Sequence, residues 1–149
     1  MDNMLIMNKI ESLRRCIGRI REKTPETSAQ LESDLDLQDI VTVNLERAVQ
    51  ASVDIAAHII ADIESPAPET MSEAFVIIEK KGFISKDVSA RMQKAVAFRN
   101  IAVHAYQKMN WNIVHKIATE GIRDFVEFTR QISEKLENAA DRRPTTENR

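Results

Sequence analysis

Residues that break regular structure are scarce in this chain: 3 Gly and 4 Pro serve 149 residues. A sandwich, a barrel or a doubly wound sheet takes its many tight turns from such residues, so all three are disfavoured. Cysteine occurs once, at Cys16, which excludes an intrachain disulfide and any zinc site built on several cysteines. No run approaches the roughly 18 consecutive apolar residues of a membrane span. The start, Met1-Asp2-Asn3-Met4, is acidic before it is basic and has no sustained apolar stretch, so no leader peptide is expected. What is present is 43% hydrophobic and 30% charged residues, the balance of a globular protein, at a length that fits one domain. The expectation is an all-α, cytoplasmic protein that does not enter a membrane.

The net charge of −2 conceals an uneven layout. Residues 31–78 carry ten acids against Arg47 alone, whereas residues 79–109 carry seven Lys and Arg against Glu79 and Asp87. A local positive field attracts phosphates even on a slightly acidic protein. The plainer account is that helices of opposite sign pair along their exposed edges. Charge by itself does not choose between them.

Apolar residues recur at helical spacing along most of the chain. Leu5, Ile6, Ile10, Leu13, Ile17 and Ile20 mark a first helix over residues 2–23, broken by Thr24-Pro25. Leu31, Leu35, Val41, Leu45, Val49, Ile55, Ile59 and Ile63 predict one long helix from Ser28 to Ile63, with a bend near Leu37–Ile40. Ser65-Pro66-Ala67-Pro68 is a linker, since neither proline fits a helix interior. Thr70 and Glu73 form a capping-box pair that opens a short helix, and Gly82 closes it. Ser85 caps a fourth helix carrying Val88, Met92 and Val96, and a fifth runs from about Asn110 to Leu136. The predicted architecture is an up-and-down bundle of about five helices spanning 1–137. The polar tail, 138–149, is expected to be disordered.

The segment Phe98-Arg99-Asn100-Ile101-Ala102-Val103-His104-Ala105-Tyr106 gathers a cation, an amide, an imidazole and a phenol. On a helix, Asn100 and His104 share a face, so the amide can orient the ring. Arg99 and Tyr106, seven apart, are nearly eclipsed, while Arg99 and His104 stand about 140° apart. Histidine exchanges protons near neutral pH and arginine grips phosphate in a bidentate fork. Together they suit transesterification of an RNA phosphodiester without a metal. A simpler role is a helix end at which both side chains bond the last carbonyls.

The run Arg99-Asn100-x-x-x-His104-x-Tyr106 resembles the R-x4–6-H motif of HEPN-domain ribonucleases. In its Arg-x4-His-x-Tyr form it is similar to the HepT toxins of bacterial HEPN/MNT toxin–antitoxin pairs. The likeness extends over most of the chain, including Asp54-Ile55-Ala56-Ala57-His58-Ile59 and the terminal helix near Phe125 to Phe128. It implies a HEPN-like bundle that pairs as a homodimer, two copies of the motif flanking one cleft. It further implies the toxin of a type II system: a metal-independent endoribonuclease with no cofactor, in which Arg99 and His104 are catalytic and Asn100 supports them. The implied partner is a minimal nucleotidyltransferase antitoxin that transfers AMP from ATP to Tyr106. Two rival readings are a non-catalytic HEPN module that binds nucleotides or docks a nucleotidyltransferase, and a helical dimerisation protein.

Asp54 and His58 share a helix face, so a carboxylate can polarise an imidazole there, and Asp54 is a candidate supporting residue. A local polar pair is the alternative. A zinc site from His58, His104 and His115 would need three helices to converge with no paired spacing, so no metal is assigned. Cys16 lies amid arginines, which lower a thiol pKa, but also fits as a small residue of an amphipathic helix. Trp111 is expected in the core or a dimer seam.

Overall fold

The computed structural model describes residues 3–141, and every regular element among them is helical. Helix α1 (Asn3–Lys23) is followed by the short α2 (Ser28–Glu32) and the long α3 (Leu35–Asp62). Helices α4 (Met71–Lys80) and α5 (Lys86–His104) come next, then α6 (Trp111–Lys116) and α7 (Ile122–Asp141). A 3-10 turn, Tyr106–Lys108, separates α5 from α6, and one π turn, Ile117–Gly121, joins α6 to α7. In that turn Thr119 Oγ1 donates to the His115 carbonyl at 2.8 Å, competing with the backbone ladder. No helix among the described residues is long and apolar enough to cross a membrane.

Helix α1 buries Ile6, Ile10, Leu13, Ile17 and Ile20 along one stripe, against α3 and α7. Leu5, placed on that stripe by periodicity, is an exposed neighbour of it. Helix α4 closes the core from the other side: Phe75 meets Phe128 of α7 edge to face, ring centres 5.7 Å apart. Gly82 ends α4 with φ of 84°, a left-handed conformation that lets Phe83 N–H reach the Ile78 carbonyl at 2.9 Å. Ser85 caps α5 by accepting from Val88 N–H at 3.1 Å.

The single helix predicted over Ser28–Ile63 is instead two, and the break falls at Ser33-Asp34 rather than near Leu37–Ile40. Four polar side chains account for it. Thr27 and Gln30 form a reciprocal capping box that starts α2, at 3.2 and 3.1 Å. Asp34 Oδ1 accepts from Leu37 N–H at 3.1 Å and so caps a new helix. Gln38 then folds back, its amide donating to the carbonyls of Leu31 (3.0 Å) and Glu32 (2.9 Å) at the end of α2. The break changes the register, and Leu35, assigned to the apolar stripe, is 75% exposed.

Two further expectations change in detail. Thr70 caps α4 by accepting from Glu73 N–H at 3.1 Å, but the Glu73 carboxylate reaches Glu69 N–H (2.9 Å) rather than Thr70. Helix α7 continues to Asp141, so residues 138–141 are helical where a tail was expected. The remainder of that tail, 142–149, lies outside the described residues. Ion pairs between elements join Lys9 to Asp54 (3.4 Å) and Arg91 to Asp124 (3.0 Å), so neither links the acidic stretch 31–78 to the basic stretch 79–109.

Gln38 carries the α2–α3 junction. Gln38→Leu keeps the volume but removes both hydrogen bonds, leaving the Leu31 carbonyl to its backbone partner Asp34 N–H, and urea unfolding should show a loss of about 1–3 kcal/mol. A change within about 0.5 kcal/mol, as at an ordinary surface position, would mean that the junction stands without that amide.

Candidate functional site

The motif lies where α5 stops. His104 is the last helical residue, and Ala105 turns out of the helix (φ −143°, ψ 43°) while its N–H still reaches the Ile101 carbonyl at 2.8 Å. The 3-10 turn follows at once, held by Lys108 N–H to the Ala105 carbonyl (2.9 Å) and Met109 N–H to the Tyr106 carbonyl (3.1 Å). Asn110 then caps α6, its side-chain oxygen accepting from Asn112 and Ile113 N–H. Tyr106 is therefore beyond the helix. The eclipsed, two-turn relation to Arg99 expected of a continuous helix does not hold.

The phenol instead crosses to α3. Tyr106 Oη donates to Asp39 Oδ1 at 3.1 Å, and the ring packs edge-on against Trp111, centres 5.9 Å apart. Burial pushes the phenol pKa up; the Asp39 carboxylate, which accepts its proton, and the charge of Glu46 push in the same direction. The Thr42 hydroxyl, buried and otherwise without a hydrogen-bond partner, works the other way. Tyr106 is thus held protonated, its hydroxyl aimed at a carboxylate able to take the proton.

Arg99 is half-buried, and its Nη1 donates to Asn100 Oδ1 at 3.4 Å. The Asn100 amide thus faces arginine rather than His104. His104 is exposed and makes no side-chain hydrogen bond among the described residues. Because α5 is regular through both positions, Arg99 and His104 keep their angular separation of about 140° within one chain. None of the ion pairs of the described residues involves Arg99, Lys94 or Lys108, so these cations are available to an anion. The surface beside them is apolar and open, with Ile101 50% and Val103 46% exposed.

The other candidates go elsewhere. Asp54 pairs with Lys9 and accepts from Gln50 Nε2 at 2.9 Å, about 22 Å along α3 from Asp39 by helix rise. Within one chain it is far from the motif. His58 turns from Asp54 toward Asp62, at 3.8 Å. His115 Nε2 donates to the Pro25 carbonyl at 2.8 Å, tying α6 to the loop before α2. Cys16 lies between α1 and α3, its thiol pKa raised by burial despite Arg47 and Arg15. Two neighbours of Tyr106 were not legible in the sequence: Asp39, 67 positions away, and Trp111, which is half-buried against the core, as expected, and also packs on the phenol.

The chain has a single tyrosine, so an ultraviolet pH titration reads Tyr106 directly. Asp39→Asn removes the charge that disfavours the phenolate, and the transition should move down toward the ordinary tyrosine range. An unmoved or rising transition would refute the contact.

Comparison with known proteins places this geometry in a family. Residues 13–132 match the family model described as ribonuclease HepT-like. The mRNA nuclease HepT of Shewanella oneidensis is 36% identical over 126 residues, covering 85% of this chain and 94% of that protein. The tRNA nuclease HepT of Aphanizomenon flos-aquae is 23% identical over 133 residues, covering 89% and 90%. Among solved structures, the tri-AMPylated Shewanella oneidensis HEPN toxin, in complex with its MNT antitoxin, superposes with a TM-score of 0.83 at 34% identity. It covers 90% of this chain and 99% of that one. The run of Arg99, His104 and Tyr106 on an all-helical bundle, and a match over most of the chain, lead to one conclusion: the chain belongs to the HepT-like ribonuclease family.

Proposed function

We propose that this protein is the toxin of a toxin–antitoxin pair, an endoribonuclease that cuts RNA without a metal at a cleft shared by two copies of the chain. The observation that carries the reading is the arrangement of Arg99 and His104: unpaired with any carboxylate, and turned about 140° apart on α5. One chain offers an arginine or an imidazole to a given phosphate more readily than both. A second copy packed on the exposed Ile101 and Val103 supplies the missing group. The names of the relatives, nucleases of mRNA and tRNA, support the substrate class.

In that cleft the His104 imidazole takes the proton of the ribose 2′-hydroxyl or returns one to the leaving 5′-oxygen. The 2′-oxygen attacks phosphorus, the P–O5′ bond breaks, and a 2′,3′-cyclic phosphate remains. Arg99 stabilises the charge gathering on the phosphoryl oxygens. Acid–base work of this kind contributes about 10²–10⁴-fold in rate. A well-placed charge-stabilising group contributes about 3–4 kcal/mol to the barrier.

Control falls to Tyr106. A nucleotidyltransferase antitoxin presents ATP; the phenol oxygen bonds to the α-phosphorus, pyrophosphate leaves, and Asp39 is placed to receive the phenolic proton. The bulky phosphodiester then adds volume and negative charge at the end of α5, where it obstructs and repels an RNA strand approaching the motif. The modified toxin among the solved relatives supports this route.

Arg99→Ala and His104→Ala should each lower RNA cleavage by about 100-fold or more, relieve growth arrest on expression, and leave the melting temperature nearly unchanged. Cleavage should survive EDTA and leave cyclic phosphate ends. An inert purified wild-type chain, or full loss in chelator, would overturn the nuclease or its metal independence respectively. Incubation with ATP and the cognate antitoxin should add adenylate that mass spectrometry maps to Tyr106 and that Tyr106→Phe prevents; adenylate at another residue only would refute this control.

A further inference from the structure

Away from the motif, α1 and α3 enclose a second feature. A groove of about 380 Å³ is lined by Ser12, Arg15, Cys16 and Arg19 of α1 and by Asn44 and Arg47 of α3. The α1 residues follow the i, i+3, i+4, i+7 stripe of one helix face, so their side chains project together. Three of the six lining groups are guanidiniums and none is a carboxylate. Arg19 is only loosely neutralised, 3.5 Å from Glu22, and Arg15 spends one donor on Ser12 Oγ at 3.2 Å. Among the ion pairs of the described residues, neither Arg15 nor Arg47 has a carboxylate partner. Cys16 shares the groove lining with Arg15 and Arg47, whose charges only partly offset the burial that raises its thiol pKa.

The floor is built rather than accidental. Asn44 is 8% exposed, and its amide nitrogen is fixed on the Ile40 carbonyl at 2.8 Å. Guanidiniums held around a polar floor bind phosphate oxygens in bidentate fashion. The location is also specific. Arg47 stands eight residues beyond Asp39 on the same helix, about 12 Å of rise and roughly 80° around the axis. Val43 lies between them, exposed.

We propose that this groove binds phosphodiester groups of the RNA strand at a distance from the scissile phosphate, so that substrate runs from the motif across Val43 to Arg47, Arg15 and Arg19. The proposal rests on the nuclease reading above and adds a second contact surface to it. Substrates long enough to reach the groove are bound more tightly than a dinucleotide, and their affinity is more sensitive to salt.

The test uses the double variant Arg15→Gln/Arg47→Gln in the full chain, with Arg47→Lys as a charge-preserving companion. Binding of a labelled oligoribonucleotide is measured on a His104→Ala background, where the strand is not cut. The double variant should lose about tenfold in affinity, and the slope of log K against log salt should flatten by about 1.4 for two lost contacts. Dinucleotide cleavage by the otherwise wild-type double variant should be unchanged, and Arg47→Lys should keep most of the affinity. Cys16, the chain's single cysteine, is a reporter inside the groove. The oligoribonucleotide should slow its alkylation severalfold in the wild-type groove and not in the double variant.

Unchanged affinity and alkylation would overturn the groove while leaving the nuclease intact. A parallel fall in dinucleotide cleavage would also overturn it, since the arginines would then serve the reacting phosphate or the fold. Protection of Cys16 by inorganic phosphate or ATP as strong as by the strand would show a small-anion site instead. A wild-type chain that neither cuts dinucleotide nor binds oligoribonucleotide would take the nuclease reading and this one down together.

Discussion

Helix α3 is the constraint on which the rest of the molecule depends. Its buried residues Val41, Leu45, Ala48, Val49, Val53, Ile55 and Ile60 lie around much of its circumference, as they must in a helix enclosed by neighbours. α1, α4 and α5 all pack on it. A helix so enclosed cannot rotate without breaking several apolar contacts at once, because packed interiors do not deform continuously. The few polar groups that it carries at its margins are therefore fixed in space. Asp39 is one of them, and it receives the phenol of Tyr106 from the far end of α5.

That hydrogen bond is worth only about 1 kcal/mol at a half-exposed position. Its consequence is orientation. Once α5 ends at His104, nothing in the local backbone decides where a side chain two residues later will point, and the turn Tyr106–Lys108 is short. Asp39 on one side and the Trp111 ring on the other decide it. The only tyrosine of the chain is thereby held apart from the arginine of its own motif and beside a proton acceptor.

The charge layout follows the same logic. The acidic and basic stretches are not joined by the inter-element ion pairs, which use Lys9, Asp54, Arg91 and Asp124 instead. Screening limits each exposed field to about 8 Å at physiological salt, so a chain with a net charge of −2 still presents separate positive and negative surfaces. Arg99 and Lys108, outside the ion pairs of the described residues, leave positive charge at the motif. Arg15, Arg19 and Arg47 form another such surface, between α1 and α3.

The helices themselves were legible because burial demands a repeat of three and four residues, and such a repeat is visible in a string of letters. The stripe from Ile6 to Ile20 and that from Val41 to Ile59 needed no coordinates. The caps at Ser85 and Gly82 were equally plain, being local. The Ser33-Asp34 break was not, because it rests on competition: Gln38 must abandon solvent for the carbonyls of Leu31 and Glu32 before two helices become better than one. The motif, too, could be read as a pattern, down to the angle separating Arg99 from His104.

The sequence by itself determined an all-helical bundle, most of its apolar stripes (Leu5 and Leu35 excepted) and the string of chemically able groups at Arg99, Asn100, His104 and Tyr106. The tertiary structure alone decided their company: that Tyr106 meets Asp39 and Trp111, that Asn100 serves Arg99, that Asp54 pairs with Lys9 far from the motif, and that three arginines converge between α1 and α3. The reason is physical. Periodicity reports how a residue sits relative to its own helix axis, whereas contact between side chains tens of residues apart depends on how two axes pack, and no local pattern encodes that.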